Sequence, residues 1–421
     1  MRYVNSDAVV IPNGIPDWML ADEYARWIDE TPGGLGVYSQ YAVRELAKLG
    51  QDVTVLTPNR GQQPEDAIEN GVRVFRPRVF DVSGSFPGVV DAGLQQWGSF
   101  FSDLYLSNLL WVGKVLEHHA EIPFDLIAVQ DWLSAPAGLA LARHELAPMV
   151  FHIHSAEWGR MGGGGSPTIT FWEEELGRQA DAVITVSLAM RDDLLEHDFD
   201  PDTTHAVRNG IDPARYHPDA PGRQRLREEY GFATDDLVTL FIGRLTSVKG
   251  VLPLIEAWPN IAAISPEARL VILGSGELQS IVEERINALD IDGSVIMRSE
   301  FVDEDERIAH YAASDICIFP SLYEPFGIVS LEAMSMGKPV VVGARGLVGF
   351  REQVIPNGPE QCGIHVDGNS SEDIAWGIAQ CLQDPRRAAE WGVRVRARTP
   401  STFTWESIMD RTLSIYEGTA G

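Results

Sequence analysis

The stretch S-L-Y-E-P-F-G-I-V-S-L-E-A-M-S-M-G-K-P, residues 321–339, decides how this chain is read. It sets two carboxylates, Glu324 and Glu332, eight positions apart around a Pro-Phe-Gly turn and a run of small residues ending in Gly337-Lys338-Pro339. Just before it, D-I-C-I-F-P (residues 315–320) is a short apolar run of the kind buried in a parallel sheet. The first carboxylate is therefore expected on a loop at the carboxyl end of a strand, with Gly327 opening the next helix. Open α/β sheets bind ligands at that edge, and a helix N-terminus there favours an anionic group. The plainer reading of the same residues is an ordinary loop with two solvated glutamates.

Outward from this stretch, strand-like runs alternate with helical patterns, the signature of parallel sheets with helical crossovers. In the first half they include residues 52–56, 125–130, 148–154 and 182–187; in the second, 237–242, 269–273, 294–297, 316–320 and 339–342. Between the two sets lies V-R-N-G-I-D-P-A-R-Y-H-P (residues 207–218), a Gly- and Pro-bearing connection. The boundary is placed there, giving α/β domains over 1–210 and 218–400. A last helix over 404–417 carries Trp405, Ile408 and Leu413 at near-helical spacing.

With 421 residues the chain has room for two sizeable cores. It contains no run of eighteen apolar residues, and Met1-Arg2-Tyr3-Val4-Asn5 lacks a basic-then-apolar signal. Cys317, Cys362 and Cys381 are widely spaced in apolar or helical settings and read as reduced core residues. A cytoplasmic location is expected. The net charge is −28, from 61 acidic and 33 basic residues, and only Lys48, Lys114, Lys249 and Lys338 are lysines. That balance excludes a nucleic-acid or anionic-membrane surface, which needs basic patches. An acidic surface with arginine in place of lysine suits high intracellular salt, where charges are screened over about 3 Å at 1 M, so a halophilic source is expected.

The segment F-I-G-R-L-T-S-V-K-G (residues 241–250) puts Arg244 and Lys249 on the loop after another buried run. An arginine fork and a lysine point charge at a strand's carboxyl end are suited to a diphosphate without a metal ion. V-I-L-G-S-G-E (residues 271–277) runs a strand into Gly274-Ser275-Gly276, where glycines let backbone approach a ligand closely. Asp303-Glu304-Asp305 and Asp198-Phe199-Asp200 imitate a D-x-D metal clamp, but their loop and helix-start settings point to capping or solvated charge. His118-His119, at a polar helix end, reads as surface.

These motifs resemble retaining GT-B glycosyltransferases of family 4 (glycosyl transferases group 1), in their E-x7-E and R-x4-K-G elements, with partial resemblance to bacterial and archaeal glycogen and starch synthases. The resemblance covers nearly the whole chain and is strongest over 240–345. It implies two Rossmann-like domains facing across a cleft, with the last helix crossing back onto the first. It implies a nucleoside-diphosphate sugar as donor substrate, no metal and no further cofactor. Arg244 and Lys249 would hold the diphosphate and Glu324 the sugar, helped by backbone at Phe326, Gly327 and Ile328. Glu332 would bind the ribose. Gly274 and Gly276 would lie beneath the nucleotide, and backbone near Phe301 and Val302 would read the base.

In the first domain, Thr31-Pro32-Gly33-Gly34-Leu35-Gly36 precedes an amphipathic helix with Val37, Tyr41 and Leu49 in phase. The resemblance makes Gly33 and Gly34 a loop closing over the donor. Trp18, Tyr24 and Trp27, ahead of it, suit either an acceptor platform or partial burial. V-Q-D-W-L-S-A-P-A-G (residues 129–138) is similar to the H-D-W segment of glycogen and starch synthases, with Gln130 replacing the histidine, which leaves the acceptor role of Asp131 open. F-H-I-H-S-A-E-W-G-R (residues 151–160) resembles the family segment whose histidine, here His154, meets the donor hexose. Whether Asp131, Glu157 and the glycines at 162–165, read as a mobile loop, contact the acceptor is left open.

The resemblance thus implies a hexosyltransferase, with glucose as the expected sugar and an α-glucan as the expected acceptor. Alternatives are a small osmolyte or a glycolipid or glycan as acceptor, a sugar-nucleotide epimerase of the same fold, and a carbohydrate-binding homologue without activity. Arg244, Lys249, Glu324 and His154 are the candidate catalytic residues. Domain closure would complete the site and exclude water.

Overall fold

The computed structural model describes residues 7–11, 34–59, 64–69, 71–79 and 99–420, with backbone alone at 7–11, 34, 35, 37 and 99–101. The chain divides into two compact units, residues 1–208 with 405–421, and residues 209–404.

The first unit is built on an eight-stranded sheet: β1 (Asp7–Ile11), β2 (Asp52–Leu56), β3 (Asp66–Glu69), β4 (Val72–Phe75), β5 (Phe124–Gln130), β6 (Met149–Ile153), β7 (Ala182–Thr185) and β8 (Thr204–Ala206). Their order is β3-β4-β2-β1-β5-β6-β7-β8. Every pairing is parallel except that of the β3–β4 hairpin. β5, β6 and β7 are buried on both faces, as strands covered on both sides must be; β5 buries all but Asp125. The helices Gly34–Lys48 and Trp405–Ala420 pack on this sheet, sharing a core of Tyr38, Ala42, Val43, Leu46, Trp405, Ile408, Met409 and Tyr416. The buried stripe of the first helix therefore runs through positions 38, 42, 43 and 46. Leu49, expected in phase with Tyr41, lies beyond the helix end and is exposed.

The second unit carries β9 (Leu237–Ile242), β10 (Ala268–Leu273), β11 (Val295–Arg298), β12 (Ile316–Phe319), β13 (Val340–Gly343) and β14 (Gly363–Val366) in the order β11-β10-β9-β12-β13-β14, all parallel. This is a doubly wound Rossmann order, in which the connections change direction between β9 and β12. In the first unit the same change falls between β1 and β5. Trp258 and Trp391 are fully buried in the second core; each large aromatic so enclosed stabilises a fold by about 2–3 kcal/mol. Cys317, Cys362 and Cys381 are free and buried. Among the described residues no helix is long and apolar enough to cross a membrane.

Candidate active site

The loops after β9 and β12 leave the sheet side by side at the reversal of the second unit. Gly250 holds φ +69°, and a Cβ there would sit 2.0 Å from the carbonyl oxygen of Pro320, so only glycine fits. The Leu322 N–H donates to Val248 O at 2.8 Å, fastening the two loops backbone to backbone. Glu324 is fixed in turn, its N–H donating to Leu347 O at 2.9 Å and its carbonyl accepting from Gly349 N at 2.7 Å. The result is an ion pair between Lys249 Nζ and Glu324 Oε2, whose side chains keep 23% and 13% of their surface open. Arg244, on the same loop as Lys249, is exposed, and its guanidinium makes no hydrogen bond or ion pair among the described residues.

Gly327 begins the helix Ile328–Ser335 with φ +85°, and a Cβ there would meet the Phe350 ring at 2.0 Å. Gln353 Nε2 holds the turn by donating to Phe326 O at 2.7 Å. The backbone N–H groups of Phe326, Gly327 and Ile328 have no acceptor among the described residues. Amides left open at a helix start beside a cation suit an anionic ligand. Phe301 and Val302 likewise leave their backbone groups unbonded among the described residues.

Glu332 is 4% exposed and already has partners. Tyr216 O–H donates to its Oε1 at 3.0 Å, Tyr311 O–H to its Oε2 at 2.7 Å, and the Arg307 guanidinium stands 3.5 Å from Oε1. Burial works against the Arg307 charge, but the Glu332 carboxylate holds its pKa above the usual value. A ribose at this carboxylate would have to share it. Gly274 and Gly276 differ from expectation in reason: a Cβ at 274 would stand 2.0 Å from Gly243 O, and one at 276 would stand 2.6 Å from Leu245 O. The room these glycines create is filled by the neighbouring loop's own backbone.

In the first unit, Gly33 lies outside the described residues, as do Trp18, Tyr24 and Trp27. Gly34 is already the first residue of its helix and not part of a loop ahead of it. Asp131 follows β5 directly with φ +53°, a left-handed conformation that aspartate tolerates better than most residues. Its Oδ1 accepts the backbone N–H of His154 at 2.7 Å, while His154 Nε2 lies 3.1 Å from Gln130 Oε1. The glutamine oxygen can only accept, so Nε2 carries the proton and Nδ1 keeps its lone pair. Burial lowers the His154 pKa against the pull of Asp131, and the ring is neutral.

Glu157 is not an open acceptor group. Arg160 Nη2 stands 3.0 Å from Glu157 Oε2 and 2.9 Å from Glu173 Oε1. Glu157 Oε1 accepts from Ser166 N at 2.9 Å, and Glu173 Oε2 accepts from Glu157 N at 2.8 Å. Burial pushes Glu173 up to about 7 although Arg160 pulls the other way. The glycines at 162–165 form a turn in which three of the four hold positive φ, and Gly163 N donates to Trp158 O at 2.6 Å. Left-handed geometry accounts for glycine at 162, 163 and 165.

The two clamp-like triplets are structural. Asp303 caps its helix by accepting from Glu306 N at 2.8 Å, Glu304 and Asp305 pair with Arg215, and Asp200 accepts from Asp202 N. His119, expected at the surface, accepts from Phe124 N at 3.0 Å. Sequence reasoning missed Tyr216, Arg307 and Tyr311. The first lies in the segment read only as a connection, and no local pattern announced any of them.

Comparison with known proteins fits this arrangement. Residues 32–215 match the model of Glycosyltransferase Family 4 and residues 222–398 that of Glycosyl transferases group 1. An uncharacterized glycosyltransferase of Methanocaldococcus jannaschii is 31% identical over 399 residues, covering 91% of this chain and 94% of that one. The chain belongs to the family 4 glycosyltransferases. A glycogen synthase of Mycobacterium tuberculosis is also 31% identical, over 91% of each chain. Sucrose-phosphate synthase from Thermosynechococcus elongatus superposes with a TM-score of 0.78 at 23% identity over 99% of each chain, which shows the GT-B fold of this glycosyltransferase.

Proposed function

We propose that this glycosyltransferase moves a hexose, glucose first among the candidates, from a nucleoside-diphosphate sugar to a hydroxyl of an α-glucan, with retained stereochemistry and no metal ion. The observation that carries the reading is the Lys249–Glu324 pair at the sheet reversal, with the Arg244 guanidinium on the same loop and the amides of Phe326 to Ile328 left without partners among the described residues. The two cations neutralise the diphosphate and stabilise the charge that grows on it as it departs, an electrostatic role that needs no proton transfer. Glu324 accepts from sugar hydroxyls, which a carboxylate does two at a time. Neutral His154 offers its unprotonated Nδ1 to a hexose hydroxyl.

The acceptor oxygen bonds to the anomeric carbon, the bond from that carbon to the phosphate oxygen breaks, and the acceptor's proton passes to the departing phosphate on the same face. Two features favour a neutral glucan over a charged acceptor. One is the 31% identity to a protein named glycogen synthase. The other is that Arg160, the cation near the His154 loop, is already held by Glu157 and Glu173.

The test is incubation with UDP-glucose or ADP-glucose in molar KCl, with and without glycogen, a small polyol or a phosphorylated sugar. Nucleoside diphosphate release that requires glycogen, with a new α-linkage by NMR, is the expected result. A new sugar nucleotide formed from donor alone would identify an epimerase instead, and release with the small acceptors alone would overturn the glucan assignment.

A further inference from the structure

Tyr38, His152 and Tyr416 meet in the core of the first unit in a chain that the chemistry above does not use. Tyr416 OH lies 2.7 Å from His152 Nε2, and His152 Nδ1 lies 3.2 Å from Tyr38 OH. Burial holds His152 well below the ordinary imidazole range and both phenols above theirs, so all three groups are uncharged. A neutral imidazole has one N–H and one lone pair. His152 therefore donates to one phenol and accepts from the other, which links the three groups in one chain. Its near end touches the site: the edge of Tyr38 meets the His154 ring, with centroids 4.4 Å apart at 61°.

We propose that Tyr416 is a positioning residue for His154, acting through His152 and Tyr38. This rests on the reading of His154 as the group that meets the hexose. Gln130 fixes one ring nitrogen of His154 and Asp131 fixes its backbone. The edge of Tyr38 packs against this ring, so a shift of Tyr38 would give it room to turn. With its hydroxyl tethered, Tyr38 cannot yield that space. The tether ends on the last helix, which is joined to this wall by the Tyr416–His152 bond as well as by apolar packing. Tyr38 also lies one turn into the helix that begins at Gly34, so the start of that helix and His154 share one support.

The bland account makes these residues core aromatics that satisfy one another, and kinetics on the full chain separates the two. Y416F and Y38F each keep the ring and remove one hydroxyl. Each is expected to lower kcat about fivefold, one hydrogen bond expressed as rate, with the donor KM unchanged. The double variant Y38F/Y416F should be little worse than either single one, because both break the same chain. M409A, a packing change on the same helix, should lower Tm while keeping kcat per folded molecule. Wild-type kcat in Y416F and Y38F would overturn the proposal, as would losses in the two that simply add. H154A distinguishes the levels. If it keeps full turnover, the role of His154 itself is wrong; if it abolishes turnover while Y416F does not change it, only the positioning role fails.

Discussion

At the reversal between β9 and β12 the working side chains are charged and partly open, and the backbone beneath them is locked by Gly250 and Gly327. At the ends of β5 and β6, next to the reversal of the first unit, the described side chains are neutral or already paired: His154 on Gln130, Arg160 between two carboxylates, Tyr38 on His152. On the proposed reading, the first region attracts a strong anion and the second presents hydrogen-bonding groups whose charges are already paired. One sheet topology thus serves two chemistries, and the loops that follow the strands make the difference.

Replacing the cations should give the largest effect. R244A and K249A are each expected to lose on the order of 3 kcal/mol of transition-state stabilisation, about a hundredfold in kcat, as with single hydrogen-bond donors removed elsewhere. Near-wild-type turnover in both would erase the charged side of the contrast. G250A should follow. It forces a left-handed residue to carry a Cβ against Pro320 O, costing roughly 2 kcal/mol of stability and moving Lys249 away from Glu324. A Tm equal to wild type would show that the loops are not locked as described.

In the neutral region the sharpest handle is Glu173. Its folded pKa of about 7 lies above its ordinary 4.5, so protonation favours the fold. That contribution is complete below pH 4.5 and is lost as the pH rises through 7. Between these limits the wild type should lose on the order of 2 kcal/mol more stability than E173Q, read from Tm against pH. Parallel curves would refute the burial argument.

Much of the charged region was legible because its parts are local. The run at 237–242 is β9 without adjustment, and Arg244, Lys249, Glu324 and Gly327 each follow a buried strand within a few residues. Gly274 and Gly276 stand out in the sequence, and in the fold a Cβ at either would meet the protein's own backbone. The partners of Glu332 were not legible. Tyr216 reaches it across 116 positions, and only the folded chain makes that choice. The same holds for Tyr416 and His152, which are 264 positions apart. Short strands such as β3, β4 and β8 are too brief to stand out by alternation.

A smaller effect concerns the surface common to both units. With a net charge of −28, Tm should rise as KCl is raised from millimolar to molar. Undiminished stability in salt-free buffer would remove the halophilic reading.

On the proposed reading, the charged region holds the diphosphate while His154 serves the sugar. Calorimetric binding of UDP and ADP to wild type, K249A and H154A in molar KCl tests it most directly. The account predicts that K249A loses nucleotide affinity at least tenfold, whereas H154A binds the nucleotide like wild type and yet fails to turn over the sugar donor. Equal affinity in K249A and wild type, or loss of nucleotide binding in H154A, would contradict it.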